Sequence, residues 1–106
     1  MNNITVLLVK PKRKPEVVEI EDTLESLQKM VDGYIEVVYP FDDPVGLIMN
    51  EEGKLLGLTP NRALKDNDGR TYNIMFGDFL VTGLTEENFG SLSDELIEKY
   101  TKFFYF

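Results

Sequence analysis

Apolar and polar positions along this chain follow two different periods, and the changes between them mark out its elements. "ITVLLV" (4–9) is an unbroken β-branched and aliphatic run, too short to stand as a helix, and reads as a buried strand. "KPKRKP" (10–15) follows as a loop, since its two prolines cannot sit in a central ladder. "EVVEI" (16–20) is a second strand, suited to a sheet edge. In "DTLESLQKMVDG" (22–33) the period turns helical: Leu24, Leu27 and Val31 share a face, with Met30 flanking it. Asp22 and Glu25 are spaced as a capping box, and Gly33 suits the left-handed position beyond a helix end.

"YIEVVYP" (34–40) returns to strand, "FDDP" turns, and "VGLIMN" (45–50) is the next strand. "NEEGK" predicts a hairpin whose Gly53 takes positive φ, with "KLLGL" (54–58) as the return strand. "TPNRAL" (59–64) opens a helical turn, with Thr59 as N-cap and Pro60 in the first position. "KDNDGR" (65–70) is a second Gly-closed turn, and "TYNIMFGDFLVTG" (71–83) is strand broken or bulged at Gly77-Asp78. A short helical turn runs from Thr85 to near Gly90. Ser91 and Ser93 then compete to cap a final helix whose Leu96, Ile97, Tyr100, Phe103 and Phe104 form one stripe.

Together these elements predict a single α+β domain over residues 1–106, a mixed or antiparallel sheet of about six strands with two main helices packed on one face. Four successive aromatics in "KFFYF" exceed one helix face. Phe103 and Phe104 fit the core, which leaves Tyr105 and Phe106 as an exposed apolar tip or a homodimer contact.

Composition changes this picture chiefly by what it excludes. With neither Cys nor His, the chain by itself cannot run Ser-His-Asp, Cys-His or zinc-hydrolase chemistry, and disulfides are ruled out. Carboxylate acid–base work, Mg²⁺-assisted chemistry, or a Lys or Tyr acid–base remain for an enzyme; a non-catalytic protein without cofactor or metal is the expectation. No apolar run approaches the roughly 20 residues of a membrane span, and "MNNITVLLVK" has no signal-peptide pattern, so a cytoplasmic protein is expected.

The net charge of −8 disfavours direct nucleic-acid binding by the chain as a whole. Yet Lys10, Lys12, Arg13 and Lys14 gather four of the eleven basic residues in one loop. That cluster reads as a solvated loop blunting strand ends, or as a docking patch for an anion or an acidic partner.

The acidic pairs Asp42-Asp43, Glu51-Glu52, Glu86-Glu87 and Asp94-Glu95 each have a turn or a helix start to serve, so none specifies a hydrolase. "DNDGR" lacks the downstream glutamate of a calcium loop. The run Glu16, Glu19, Glu21, Asp22, Glu25 is the densest acidic stretch, and a DNA-mimicking inhibitor of a host enzyme would rely on it.

Outside the basic loop the arginines are Arg62 and Arg70. An arginine fork grips phosphate or carboxylate, Asn61 adds a donor and an acceptor, and a helical turn at Thr59 would aim free N–H groups alongside. Lys54, Arg70 and Tyr72 are close enough in sequence to complete such an anion site. The competing reading is a salt bridge from Arg62 to one of the nineteen acidic residues.

"GYIEVV" after a helix, then "NEEGKLLGL" and "NR", then "FGDFLVTG", resemble in order the family called domain of unknown function 3846, from "TVLLV" to about Gly83. The resemblance implies a small accessory protein of bacterial plasmids, conjugative elements or phages, acting in the bacterial host cell, with no assigned catalytic residues. It places Asn61-Arg62 in the "NR" block. The expected function is then a binding protein for a small anionic, nucleotide-like ligand or a host protein, through the 54–78 face. The alternatives are the acidic DNA mimic and a carboxylate/Mg²⁺ enzyme.

Overall fold

Three strands of this chain are apolar on both faces, and they form the centre of the sheet. The computed structural model describes residues 2–106. Its strands are β1 (Asn3–Val9), β2 (Glu16–Glu21), β3 (Ile35–Val38), β4 (Val45–Asn50), β5 (Pro60–Lys65), β6 (Thr71–Phe76), β7 (Phe79–Leu84) and β8 (Phe89–Gly90). The helices are α1 (Leu24–Val31) and α2 (Asp94–Phe103). The main sheet runs β2-β1-β7-β4-β3, with β8 added on β7, and every pairing is antiparallel. β5 and β6 form a separate two-stranded sheet.

Side chains alternate across a strand, so β1, β4 and β7 feed two cores. Ile4, Val6, Leu8, Ile48 and Leu80 pack on one face with Leu27 and Val31 of α1. Leu7, Val9, Leu47, Met49, Phe79 and Val81 pack on the other, with Leu64 and Met75 of the β5–β6 hairpin and Tyr100 and Phe104 of the C-terminal segment. The α+β class, the antiparallel sheet and the two helices are as read from the sequence. The placing of both helices on one face is corrected: α1 and α2 lie on opposite faces. Unbroken apolar runs such as "ITVLLV" require a covering layer on each side.

Several local readings are also corrected. Thr23, not Asp22, caps α1, its hydroxyl accepting from Ser26 N at 3.1 Å, and Asp32 rather than Gly33 holds the left-handed position at φ 59°. Ser93 caps α2, while Ser91 Oγ accepts from Thr5 N at 2.9 Å and ties the approach to α2 against β1. No helical turn follows Thr85: its hydroxyl closes a turn with Asn88, and β8 pairs back on β7. The break at Gly77-Asp78 is as expected. Gly77 sits at φ 78° and sends β6 into the small sheet and β7 into the main one.

Candidate functional site

The segment read as a return strand, "KLLGL", is instead part of a compact turn. Leu56 N donates to Glu52 O at 2.9 Å, Gly57 N to Lys54 O at 3.2 Å and Leu58 N to Gly53 O at 3.0 Å, winding the chain into helical turns. Gly57, not Gly53, takes the positive φ, at 72°. Gly53 has a different reason to lack a side chain: a Cβ there would stand 3.0 Å from Phe76 O, where the turn leans on the end of β6. Leu55 and Leu56 consequently point outward, 85% and 60% exposed.

Between this turn, the end of β4 and β6 lies a cleft of about 390 Å³, lined among others by Glu36, Asn50, Glu51, Lys54, Tyr72 and Asn73. The floor is rigid because Asn50 is fully used. Its Nδ2 donates to Val31 O and Asp32 O, both at 3.1 Å, and its Oδ1 accepts from Glu52 N at 2.8 Å. β6 supplies the wall. Its pairing skips Tyr72, since Leu64 faces Asn73 and Lys65 faces Thr71, and that bulge leaves the Tyr72 ring 57% exposed. Lys54 takes part in no ion pair among the described residues.

Of the residues singled out in the sequence, the cleft thus brings together Lys54 and Tyr72. Arg70 stands just before β6, in the turn whose Asp66 Oδ1 accepts from Arg70 N at 2.9 Å, and does not line the cleft. Asn61 and Arg62 are elsewhere and otherwise engaged. Residues 60–65 are extended, not helical, so the free N–H groups expected after Thr59 do not exist. Asn61 is the bulged residue of β5, because Pro60 faces Phe76 and Arg62 faces Met75. Its Nδ2 donates to Val9 O and Gly77 O, both at 2.8 Å.

The Arg62 guanidinium is saturated by carbonyls. Nε and Nη2 donate to Phe104 O at 3.0 and 2.8 Å, Nη2 also to Arg13 O at 2.6 Å, and Nη1 to Lys10 O at 3.4 Å and Asn61 Oδ1 at 2.8 Å. All five donors are thereby used, and the Phe106 ring lies 5.2 Å from Cζ. The anion grip expected of Asn61-Arg62 is therefore corrected to an internal clamp, and its partners are carbonyls rather than the acidic side chain of the competing reading. Burial lowers the guanidinium pKa from its ordinary value.

At the C-terminus Phe104 is buried, whereas Phe103, Tyr105 and Phe106 are exposed. Phe103 still packs edge-on against Phe41 and Phe104, at 5.2 and 4.8 Å between ring centroids. Asp43 accepts from Lys99 Nζ at 2.5 Å and Tyr100 Oη at 2.7 Å. Those two bonds, Lys99 first, hold its carboxyl below the usual carboxylate range. Burial, then Asp43, pushes the Tyr100 hydroxyl well above its ordinary value. Asp78, at the β6–β7 break, has its pKa raised by burial and by Glu16, against the opposing pull of Lys10.

Sequence reasoning missed Glu36, Asn73 and the outward leucines; the adjacent Leu55-Leu56 beside a lysine was the available signal. Among the described residues no three carboxylates converge as a metal site, and no helix is long and apolar enough to cross a membrane.

Fold and cleft define an antiparallel α+β domain with a rigid central sheet and an open, mixed-polarity cleft beside a small second sheet. The chain belongs to the family Domain of unknown function (DUF3846), whose model matches residues 4–105, so the likeness extends through α2 and beyond Gly83. No curated protein and no solved structure matches it.

Proposed function

We propose that this chain is a non-catalytic binding protein of a bacterial mobile element or phage, and that the cleft beside β6 is its working surface, receiving a segment of a host protein. The observation that carries this reading is the pair Tyr72 and Ile74, exposed apolar side chains that line the cleft. Leu55 and Leu56 are exposed on the turn whose Gly53 and Lys54 form its opposite side. Contiguous exposed apolar surface on a small domain marks interaction sites. A second reading, capture of a small nucleotide-like anion, draws on Lys54, which is in no ion pair among the described residues and lines the cleft together with Tyr72 and Asn73.

Photocrosslinking separates these readings. A benzoylphenylalanine at Leu55 or Tyr72 is expected to trap one discrete protein from a bacterial host extract, while the same probe at Glu98 on α2 traps none. Crosslinks from Glu98 alone would remove the cleft from consideration. Thermal stabilisation by nucleotides, lost in Lys54→Ala and accompanied by no crosslink, would install the small-ligand reading instead. Ligand at about 100 times its Kd stabilises by about 2.7 kcal/mol, a readily measured shift.

A further inference from the structure

The Arg62 clamp also does something on the surface. One guanidinium nitrogen, Nη2, holds both Arg13 O at 2.6 Å and Phe104 O at 2.8 Å. The basic loop and the aromatic C-terminus are thereby fixed side by side, although they lie at opposite ends of the sequence. Lys12, Arg13 and Lys14 are exposed on the first, and Phe103, Tyr105 and Phe106 on the second. None of the three cations is in an ion pair among the described residues. Of the acidic groups on this side, Asp43 is matched by Lys99 and Glu98 by Lys102. Asp42 is in no ion pair among the described residues, and Glu16 and Asp78 act at the Lys10 end of the loop. The rest of the acidic charge counts for less at this patch, because exposed charges more than about 8–10 Å away are screened at physiological salt.

From this juxtaposition we infer a second binding surface, separate from the cleft, which takes single-stranded nucleic acid: the cations meet phosphates and the rings stack on bases. Fixed aromatic rings beside a cationic track are the elements by which sequence-tolerant single-strand binders work. The rings here are held in place, Phe106 by the guanidinium on one side and Phe103 by its edge contacts with Phe41 and Phe104. A duplex, with stacked bases turned inward, would use only the cations. The net charge of −8 disfavours nucleic acid for the chain as a whole, so binding is confined to this patch and short in site size.

The test is fluorescence anisotropy with a labelled fifteen-nucleotide oligothymidylate in low salt, alongside the matching duplex, polyglutamate and phosphatidylserine vesicles. Oligothymidylate is expected to bind more tightly than the duplex. With about three phosphates engaged, the slope of log K against log salt should be near −2. Phe103→Leu and Tyr105→Ala should each weaken binding about fivefold to a hundredfold with that slope unchanged. The double variant Lys12→Gln, Lys14→Gln should flatten the slope. All of these positions are exposed, and unchanged thermal melts establish that the variants fold. The inference is overturned if oligothymidylate does not bind, if the aromatic variants bind as wild type, or if polyglutamate or the vesicles compete equally.

Discussion

Arg62 and Phe104 are joined by a two-pronged hydrogen bond, Nε and Nη2 of the guanidinium both donating to one backbone carbonyl at 3.0 and 2.8 Å. That carbonyl belongs to the residue that ends α2, so a side chain from β5 terminates a helix that no glycine terminates. Arg62→Ala would leave this carbonyl and those of Lys10 and Arg13 without their donor. The expected loss is about 2–4 kcal/mol in urea unfolding. Arg62→Lys keeps the charge but not the planar fork and should recover less than half of it.

Asn61 separates donor chemistry from shape. Its amide nitrogen faces two carbonyl oxygens, those of Val9 and Gly77, at 2.8 Å each. Asn61→Asp sets a carboxylate against both and is expected to destabilise more than Asn61→Ala, which removes the bonds without adding repulsion. A difference of at least about 1 kcal/mol between the two variants is anticipated from denaturant midpoints.

Asp43 gives the fold an acid-sensitive element. Its carboxyl is held below the ordinary range by hydrogen bonds from Lys99 and Tyr100. A folded-state pKa below the unfolded one contributes stability that is present above the unfolded value, about 4, and is lost as pH falls through the folded value. Asp43→Asn should therefore lower Tm most above about pH 5, and the gap to wild type should narrow as the pH falls below the unfolded-state value. Parallel melting curves from pH 2 to 7 would measure this.

Leu55 and Leu56 test the division between stability and binding. Both point outward, so Leu55→Ser with Leu56→Ser should change unfolding free energy by no more than about 0.5 kcal/mol per site. The same pair should abolish the crosslink trapped from Tyr72. A large loss of stability without loss of capture would contradict the assignment of these leucines to the binding surface.

The sequence was most legible where periodicity met tertiary demand. α1, α2 and the strands β1, β4 and β7 follow directly from apolar spacing, and the break at Gly77 from the glycine itself. "TPNRAL" misled because Thr-Pro is a helix-start signal, while pairing with β6 holds those residues extended. "KLLGL" misled because its leucines serve the surface, and no periodic rule distinguishes an outward leucine from an inward one. The role of Arg62 was hidden for a related reason. Apart from the neighbouring Asn61 side chain, its partners are backbone carbonyls of residues 10, 13 and 104, and carbonyls have no signature in the sequence.

The placement of β7 bears on how the chain reaches this fold. β1 and β2 pair with each other, as do β3 and β4, but the two hairpins meet only through β7, which bonds to β1 on one side and β4 on the other. During synthesis both hairpins emerge long before residues 79–84, and until then each has an unpaired apolar edge. Sheet completion is a late, long-range event, of the sort that slows folding and leaves intermediates open to association. The strand that closes the sheet is therefore also the one whose delay a growing chain would feel most.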